Sequence, residues 1–558
     1  MKQNYVMPVG VDDFRQVREE YYYVDKTDFI KALIDGHSKV TLITRPRRFG
    51  KTLAMSMLYY FFTMEDAGAN RNLFKGCKVE TAGEKYMKHQ GTKPTIFLSL
   101  KDIKQVDFTR MMRSFSSLMQ DLYALHSYLL DSDCLNEYDR EYFHSIVTRQ
   151  ADSVDLQLSL KKLTVWLQRY HQKAVLLLID EYDAPIQYAF DHDYYDEAIE
   201  FMRNYLSSAL KSNPSLDFAV ITGVLRIAKE SIFSSLNNLE IASVVSGRYQ
   251  SAMGFDYHEI EQVATDFNCP QKLEEIKDWY DGYNFSGQEI YNPWSVINYI
   301  LHNCQPALYW LNTSGNTILN DLLKHIDKKQ EKELYTLLRG GSITARIDES
   351  IIYTDISKSR NALYTMLLTT GYLTPVSQPS LTGFTLSARL RIPNQEIRAV
   401  YAKEILERIE SMDGQPNLLS MMDNLLSGNV EEFSARLNEY LETLASYYDT
   451  ANRENFYHGF LLGLLALLLP DYTVRSNRES GYGRFDIAIF PNRKHQNGVI
   501  MEFKVAESEA ALPKMAEAAL TQIESMDYMA EFRNKGIEQV WQYGIAFCGK
   551  KSHIAAKI

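Results

Sequence analysis

Three groups of residues in this 558-residue chain have the types and spacing that chemistry needs. The first is Gly50-Lys51-Thr52, which closes the run Arg45-Pro46-Arg47-Arg48-Phe49 after the strand-like stretch 41–44. A loop of this kind turns backbone N–H groups to phosphates, reaches the terminal phosphates with its lysine and holds magnesium with a Ser or Thr hydroxyl. Arg45 stands where such a loop ordinarily has its first glycine. The second group is Asp180-Glu181, at the end of the apolar run 174–179. Asp180 is suited to orient, with Thr52, the Mg²⁺ of bound ATP, and Glu181 to activate an attacking water. The third is Asp486 with Glu502 and Lys504, on two consecutive strand-like segments near the carboxyl end.

Glu502 and Lys504 are two apart, so both side chains leave one face of the strand while Met501, Phe503 and Val505 leave the other. A charged pair on one face of an otherwise apolar strand is costly to bury without a function or a partner. If the preceding strand returns as a hairpin, Asp486 reaches the same face. Two carboxylates then suit Mg²⁺ or Mn²⁺, and the lysine can position a water for attack on phosphorus. The plainer reading is a surface salt bridge on a half-exposed hairpin. Likewise an Asp-Glu pair alone is as readily a solvated acidic turn; a phosphate loop upstream on another strand tips it toward nucleotide chemistry.

The elements that must position these groups are legible from periodicity. Residues 11–36 read as helical with a break at Tyr21-Tyr22-Tyr23, whose rings are expected to pack rather than to stack on adenine. Strand-like runs cover 40–44, 95–100, 174–179 and 218–223, an α/β pattern in which ligands gather at the carboxyl ends of the strands. The last run leads to Thr222 and Arg226, candidates for the polar group near the terminal phosphate, although an arginine there equally suits a neighbouring carboxylate; the polar stretch 234–238 reads as a loop over the site. Beyond residue 260, Trp279 to Phe285, Tyr291 to Ser295 and Tyr309 to Ser314 interleave aromatics with turn formers. Such segments can stack bases, but packed turns capping helices are the expected reading, with Pro293 just inside a helix start. Residues 411–417 form a turn-rich boundary, followed by a pair of amphipathic helices.

Composition bounds the alternatives. With 45% hydrophobic and 23% charged residues the chain reads as an ordinary globular protein, too long for one core. A net charge of −11 argues against a surface coated with phosphate-binding groups, though a local basic groove could hold nucleic acid. The five cysteines are scattered without a CxxC pair, which reads as reduced thiols rather than a zinc site. The longest apolar run, 460–469, is far short of a membrane span and the first ten residues lack signal-peptide character, so no membrane association and a cytoplasmic location are expected.

Taken together, these motifs resemble bacterial proteins that join an AAA-ATPase-like domain to a PD-(D/E)XK nuclease domain. The likeness rests on Tyr23-Val24-Asp25-Lys26-Thr27, on 45–52, on Asp180-Glu181-Tyr182-Asp183, on Tyr280-Asp281-Gly282-Tyr283 and Tyr291 to Ser295, and on Gly483 to Asp486, Glu502-Phe503-Lys504 and Ala519 to Ile523. It implies a P-loop NTPase-like parallel sheet over 1–260, a mainly helical, winged-helix-like middle region over 261–412, and a helical lead-in with an α/β restriction-endonuclease-like domain over 413–558. A missing first glycine is a habit of these proteins. Nucleotide would be lined by Arg45, Arg48, Phe49, Gly50, Lys51, Thr52, Leu53, Asp180, Thr222 and Arg226. At the nuclease site the resemblance implies that Asp486 and Glu502 bind metal, Lys504 serves the water and Gln522 supports the site, with Glu454, and less readily Glu479, completing the acidic set. The implied function is an ATPase coupled to a metal-dependent nuclease on DNA or RNA, with a homo-oligomer allowed. The competing function is a nucleotide-controlled switch or nucleic-acid-binding module, in which ATP binding drives assembly and the nuclease fold is inactive or only holds nucleic acid.

Overall fold

Five largely apolar strands assemble into one parallel sheet: β1 (Val40–Thr44), β2 (Thr95–Ser99), β3 (Val175–Asp180), β4 (Leu216–Gly223) and β5 (Leu239–Ala242), in the order β2-β3-β4-β1-β5. The computed structural model describes residues 6–226, 239–310, 328–338, 340–349, 359–382, 385–401, 418–444, 454–465, 468, 472–480, 483–492 and 496–558. The loop expected at 234–238, the boundary at 411–417 and the end of the 309–314 segment lie outside these residues.

β1 and β3 are buried along their whole length, as strands of a parallel sheet covered on both faces must be. β4 lies between them, with Ile43 opposite Thr222, Thr44 opposite Gly223, and Ile179 opposite Ile221. That register brings the start of the phosphate loop, Thr222 and Asp180 to one level at the carboxyl edge of the sheet. The helix Lys51–Phe62 starts directly after the loop. The helical reading of 11–36 resolves into Phe14–Glu20 and Asp28–Gly36.

The described residues form two compact units. The first holds Met1–Leu273, Gly282–Ile297 and Thr344–Leu390, and the second Glu274–Asp281, Asn298–Ile343 and Arg391–Ile558, so residues 261–412 contribute to both. To the parallel sheet the first unit adds a hairpin, β6 (Tyr283–Phe285) and β7 (Gln288–Ile290), and a small sheet. The small sheet has β8 (Ile343–Arg346), β10 (Ser380–Thr382) and β11 (Thr385–Arg391) in the order β10-β11-β8, with the short β9 (Thr374–Pro375) paired to β11.

The second unit carries a mixed sheet in sequence order: β12 (Tyr472–Ser480), β13 (Gly483–Pro491), β14 (Gly498–Val505), β15 (Val540–Cys548) and β16 (Lys551–Lys557). All neighbours are antiparallel except β14 and β15. Parallel neighbours need a crossover, and the helix Leu512–Ser525 lies within it. This helix packs so closely on β15 that a Cβ at Gly544 would lie 2.3 Å from the carbonyl oxygen of Ala516 and 2.4 Å from the amide nitrogen of Leu520. Only glycine allows that approach. Phe485, Ala488, Phe490 and Ile500 share a core with Ile523 of this helix. On the other face Phe503 meets the rings of Phe547 and of His458, which belongs to the helix Glu454–Leu465.

Candidate functional site

At the carboxyl edge of the parallel sheet, Thr52 Oγ1 donates to Asp180 Oδ2 at 2.8 Å and Thr222 Oγ1 donates to Asp180 Oδ1. Asp180 is fully buried. Burial raises its pKa, an effect that the two hydroxyl donors oppose. Glu181 follows in the left-handed region at φ 50°, its N–H directed at Thr222 Oγ1 3.4 Å away. The turn is held from below by Asp183, whose Oδ2 accepts the N–H groups of Val224 and Leu225 at 2.8 Å each. Asp183 thus anchors the end of β4 rather than serving a ligand, a role that the sequence reading left unassigned. Arg226, at the end of the described part of this segment, is half-buried.

Lys51 is buried, and its Nζ donates back to the loop carbonyls of Pro46 and Arg45 at 3.1 and 3.2 Å. Burial lowers its pKa, while Glu181, Asp180 and Asp183 pull the other way. Gly50 takes φ 83° at the head of the helix with nothing within 4 Å of where a Cβ would be, so conformation rather than crowding calls for glycine there. Thr52 and Leu53 sit half-buried on the first turn.

Two loop residues expected to line the nucleotide have side chains committed to the interior. Arg45 is fully buried; its guanidinium donates to the carbonyls of Thr44, Ala242 and Tyr249 at 2.8–2.9 Å and lies 5.1 Å from the Phe285 ring. Burial lowers its pKa to about 10. Where a glycine would leave the loop soft, this arginine ties β1 to β5 and to the turn at Tyr249. Phe49 is also buried, its ring packed on Tyr283 and Phe285 and its carbonyl accepting the N–H of Gly254 at 3.1 Å. The aromatics of 283–285 therefore pack under the loop. Tyr22 and Tyr23 pack as expected, Tyr23 on Phe14 and Tyr22 on Phe267 with its hydroxyl on Asp266.

In the second unit, the ladder between β13 and β14 runs from Ile489–Val499 to Ile487–Met501. The ladder ends there, one residue short of Asp486 and Glu502. Asp486 Oδ2 takes the N–H of Phe503 at 2.7 Å in place of a strand carbonyl. Glu502 is buried, and its Oε1 accepts from the Gln522 side-chain amide. Gln522 Oε1 in turn accepts from Lys504 Nζ at 2.6 Å, which leaves Lys504 Nζ 3.8 Å from Glu502 Oε1. Gln522, on the crossover helix, thus joins the two charged residues, and Tyr528 OH lies 3.3 Å from its amide nitrogen. Sequence reasoning missed Tyr528 and His458. His458 Nε2 meets the carbonyl oxygen of Asp486 at 3.1 Å, and burial keeps its pKa low. Neither residue has a spacing signal, since both reach the site only through helix packing. Glu454 opens the helix that carries His458; its side chain, like that of Glu479, lies outside the described residues.

The donor sets suit hard cations. Mg²⁺ is commonly held by one or two carboxylates and keeps several waters, which fits Asp486 with Glu502, and Thr52 with Asp180. An all-protein cage is a different matter: among the described residues no group of three or more His, Cys, Asp or Glu side chains is placed to hold a metal.

Residues 8–233 match the family model described as Predicted AAA-ATPase, and residues 452–557 match that of the PD-(D/E)XK nuclease superfamily. The chain has the architecture of an AAA-ATPase-like domain followed by a PD-(D/E)XK nuclease-like domain. It is also similar to "Uncharacterized protein in vnfD 5'region" of Azotobacter chroococcum mcd 1, at 27% identity over 551 residues, covering 97% of this chain and 96% of that protein. The likeness therefore runs through both domains. No helix among the described residues is long and apolar enough to cross a membrane.

Proposed function

We propose that this chain binds and hydrolyses ATP in its amino-terminal unit and uses that cycle to govern a metal-dependent nuclease at Asp486, Glu502 and Lys504. The observation that carries the nuclease reading is the chain Glu502–Gln522–Lys504, in which a neutral amide holds a buried carboxylate and an ammonium at a fixed spacing. A divalent cation, when bound, would supply charge neutralisation at the scissile phosphate and a more acidic water. The residues of the chain would do the rest. Asp486 and Glu502 supply oxygen donors, Gln522 orients both members of the pair, and Lys504 holds the attacking water and eases its deprotonation. Glu454 is the candidate for a further acid from the lead-in helix. In the amino-terminal unit Lys51 and Arg48 would take phosphate oxygens, Thr52 and Asp180 the magnesium ion, and Glu181 the proton of the attacking water.

The test is cleavage of single- and double-stranded DNA and RNA in Mg²⁺ or Mn²⁺, with and without ATP, beside Lys51→Ala and Lys504→Ala. Cleavage by the wild type that persists at full rate in Lys504→Ala would falsify the assignment. One observation favours a second reading, a nucleotide-controlled switch. Lys51 Nζ is turned onto the carbonyls of its own loop, so nucleotide must first displace those bonds. Tight ATP binding without phosphate release, unchanged by Glu181→Gln, would select that reading.

A further inference from the structure

The three arginines of the phosphate loop are held in three different ways. Arg45 is spent on backbone carbonyls and Arg47 donates to Gln187 Oε1 at 2.9 Å. Arg48 is exposed, and among the described residues its guanidinium makes no hydrogen bond or ion pair. Its carbon Cζ lies 4.1 Å from the centroid of the Trp294 ring, and the charge of Glu181 acts on it electrostatically. The backbone at Arg48 is in the left-handed region at φ 70°, a conformation that a long side chain seldom adopts without a compensating contact. Trp294 is fixed in its turn. It sits at the start of the helix Pro293–Leu301, where Asn292 Oδ1 accepts its N–H at 3.0 Å, in the chain that follows the hairpin packed on Phe49. A guanidinium held over an indole by its charge still has N–H donors to offer, because the attraction to the ring face makes no conventional hydrogen bond.

We propose that Trp294 is the positioning residue for Arg48, presenting its guanidinium donors to the terminal phosphate of bound nucleotide so that the pair distinguishes a nucleoside triphosphate from the diphosphate. The proposal rests on the ATP-binding reading above and names the group that senses the third phosphate. Arg48 is one and two residues from Phe49 and Gly50, beside the lysine that takes phosphate. Glu181, which faces the same space, balances the arginine until the more highly charged triphosphate arrives. Arginine is required because lysine neither stacks as a plane nor donates as a fork. Trp294 acts through Arg48 and need not touch the nucleotide.

The experiment measures equilibrium binding of MgATP and MgADP to the full chain for wild type, Arg48→Ala, Arg48→Lys, Trp294→Leu, Trp294→Phe, the Arg48→Ala/Trp294→Leu double variant and Lys51→Ala. Arg48→Ala should weaken ATP by roughly tenfold or more, the size of a charged hydrogen bond, and ADP by about twofold or less. Trp294→Leu should lose several-fold of the ATP preference, Trp294→Phe should keep most of it, and the double variant should be no worse than Arg48→Ala alone. Arg48→Lys should resemble the alanine variant. Equal losses for ATP and ADP in Trp294→Leu, or an unchanged preference in Arg48→Ala, overturn the pair while leaving ATP binding intact. A wild type that binds neither nucleotide overturns the ATP reading itself, and the pair with it. Trp294→Phe and Arg48→Ala change no buried charge or helix cap, so they keep the question answerable if Trp294→Leu does not fold.

Discussion

The hydroxyl of Thr52 donates to Asp180 Oδ2 at 2.8 Å, which ties the first turn after the phosphate loop to the end of a strand 128 residues later. The contact lies at the proposed nucleotide site, and it involves a carboxylate that burial disfavours in its charged form. A carboxyl group whose folded pKa is raised contributes stability below its unfolded pKa and loses it as pH rises through the folded value. At neutral pH, then, ionised Asp180 is a cost to folding. Asp180→Asn should therefore melt at or above the wild-type temperature between pH 7 and 8 while phosphate release falls by roughly a hundredfold. Thermal melts and a phosphate-release assay on one preparation decide it. A variant that is less stable yet hydrolyses ATP normally would remove Asp180 from the site.

Gln522 offers a test of the carboxyl-terminal site that leaves its charges in place. It accepts from Lys504 and donates to Glu502, so Gln522→Ala removes the spacer without touching either group. Supporting residues of metal sites typically cost about 10–100-fold when removed, and cleavage should fall by that factor. Gln522→Glu should do at least as badly, because a second carboxylate would meet Glu502 where an N–H donor now stands. Cleavage rates at saturating Mg²⁺ measure this, and an unchanged rate in both variants would show that the amide does no positioning.

Gly544 links packing to the same site. A methyl group there meets backbone atoms of Ala516 and Leu520 at 2.3 and 2.4 Å, and backbone cannot swing aside as a side chain can. Gly544→Ala must therefore push the helix Leu512–Ser525 off β15, and Gln522 moves with it. Overpacking of this kind costs about 1–3 kcal/mol, and displacement of a positioning group by about 1 Å is worth roughly a hundredfold in rate. Cleavage should drop sharply while ATP binding at the amino-terminal unit stays within about twofold. Loss of ATP binding to the same extent would point to general misfolding instead.

What the sequence made legible, and what it did not, divides along a physical line. Long apolar runs such as 174–179 and the alternation around Glu502 and Lys504 are local signals, and the strands lie where periodicity puts them. The short strand β5, Leu239–Ala242, carries Glu240 in mid-run and gives no such signal; only its pairing with β1 makes it a strand. Arg45 was expected at the phosphates because its position in the loop was all that could be read. Its burial follows from the carbonyls of Ala242 and Tyr249, which come from about two hundred residues away. Trp294 was legible as a packed aromatic after a helix cap, but the cation above it was not. Contacts between distant segments, not local pattern, decide these cases.

The last prediction concerns acid stability and stands apart from both sites. His126 is buried, its Nδ1 3.3 Å from Tyr128 OH, and that hydroxyl also meets His171 Nε2 at 3.1 Å. Burial takes the His126 pKa from 6.5 down to about 4, with Glu65 pulling it up and His171 pushing it down. Between those values the unfolded chain binds the proton that the folded chain refuses, so stability rises with pH across this window. The contribution is complete above pH 6.5 and is lost as pH falls toward 4. At pH 5 the loss from this group amounts to about 2 kcal/mol. His126→Gln cannot titrate and should lose correspondingly less stability between pH 7 and pH 5. Denaturant unfolding at the two pH values, followed for both proteins, measures the difference. If the two proteins weaken in parallel, protonation of His126 is not what acid acts on.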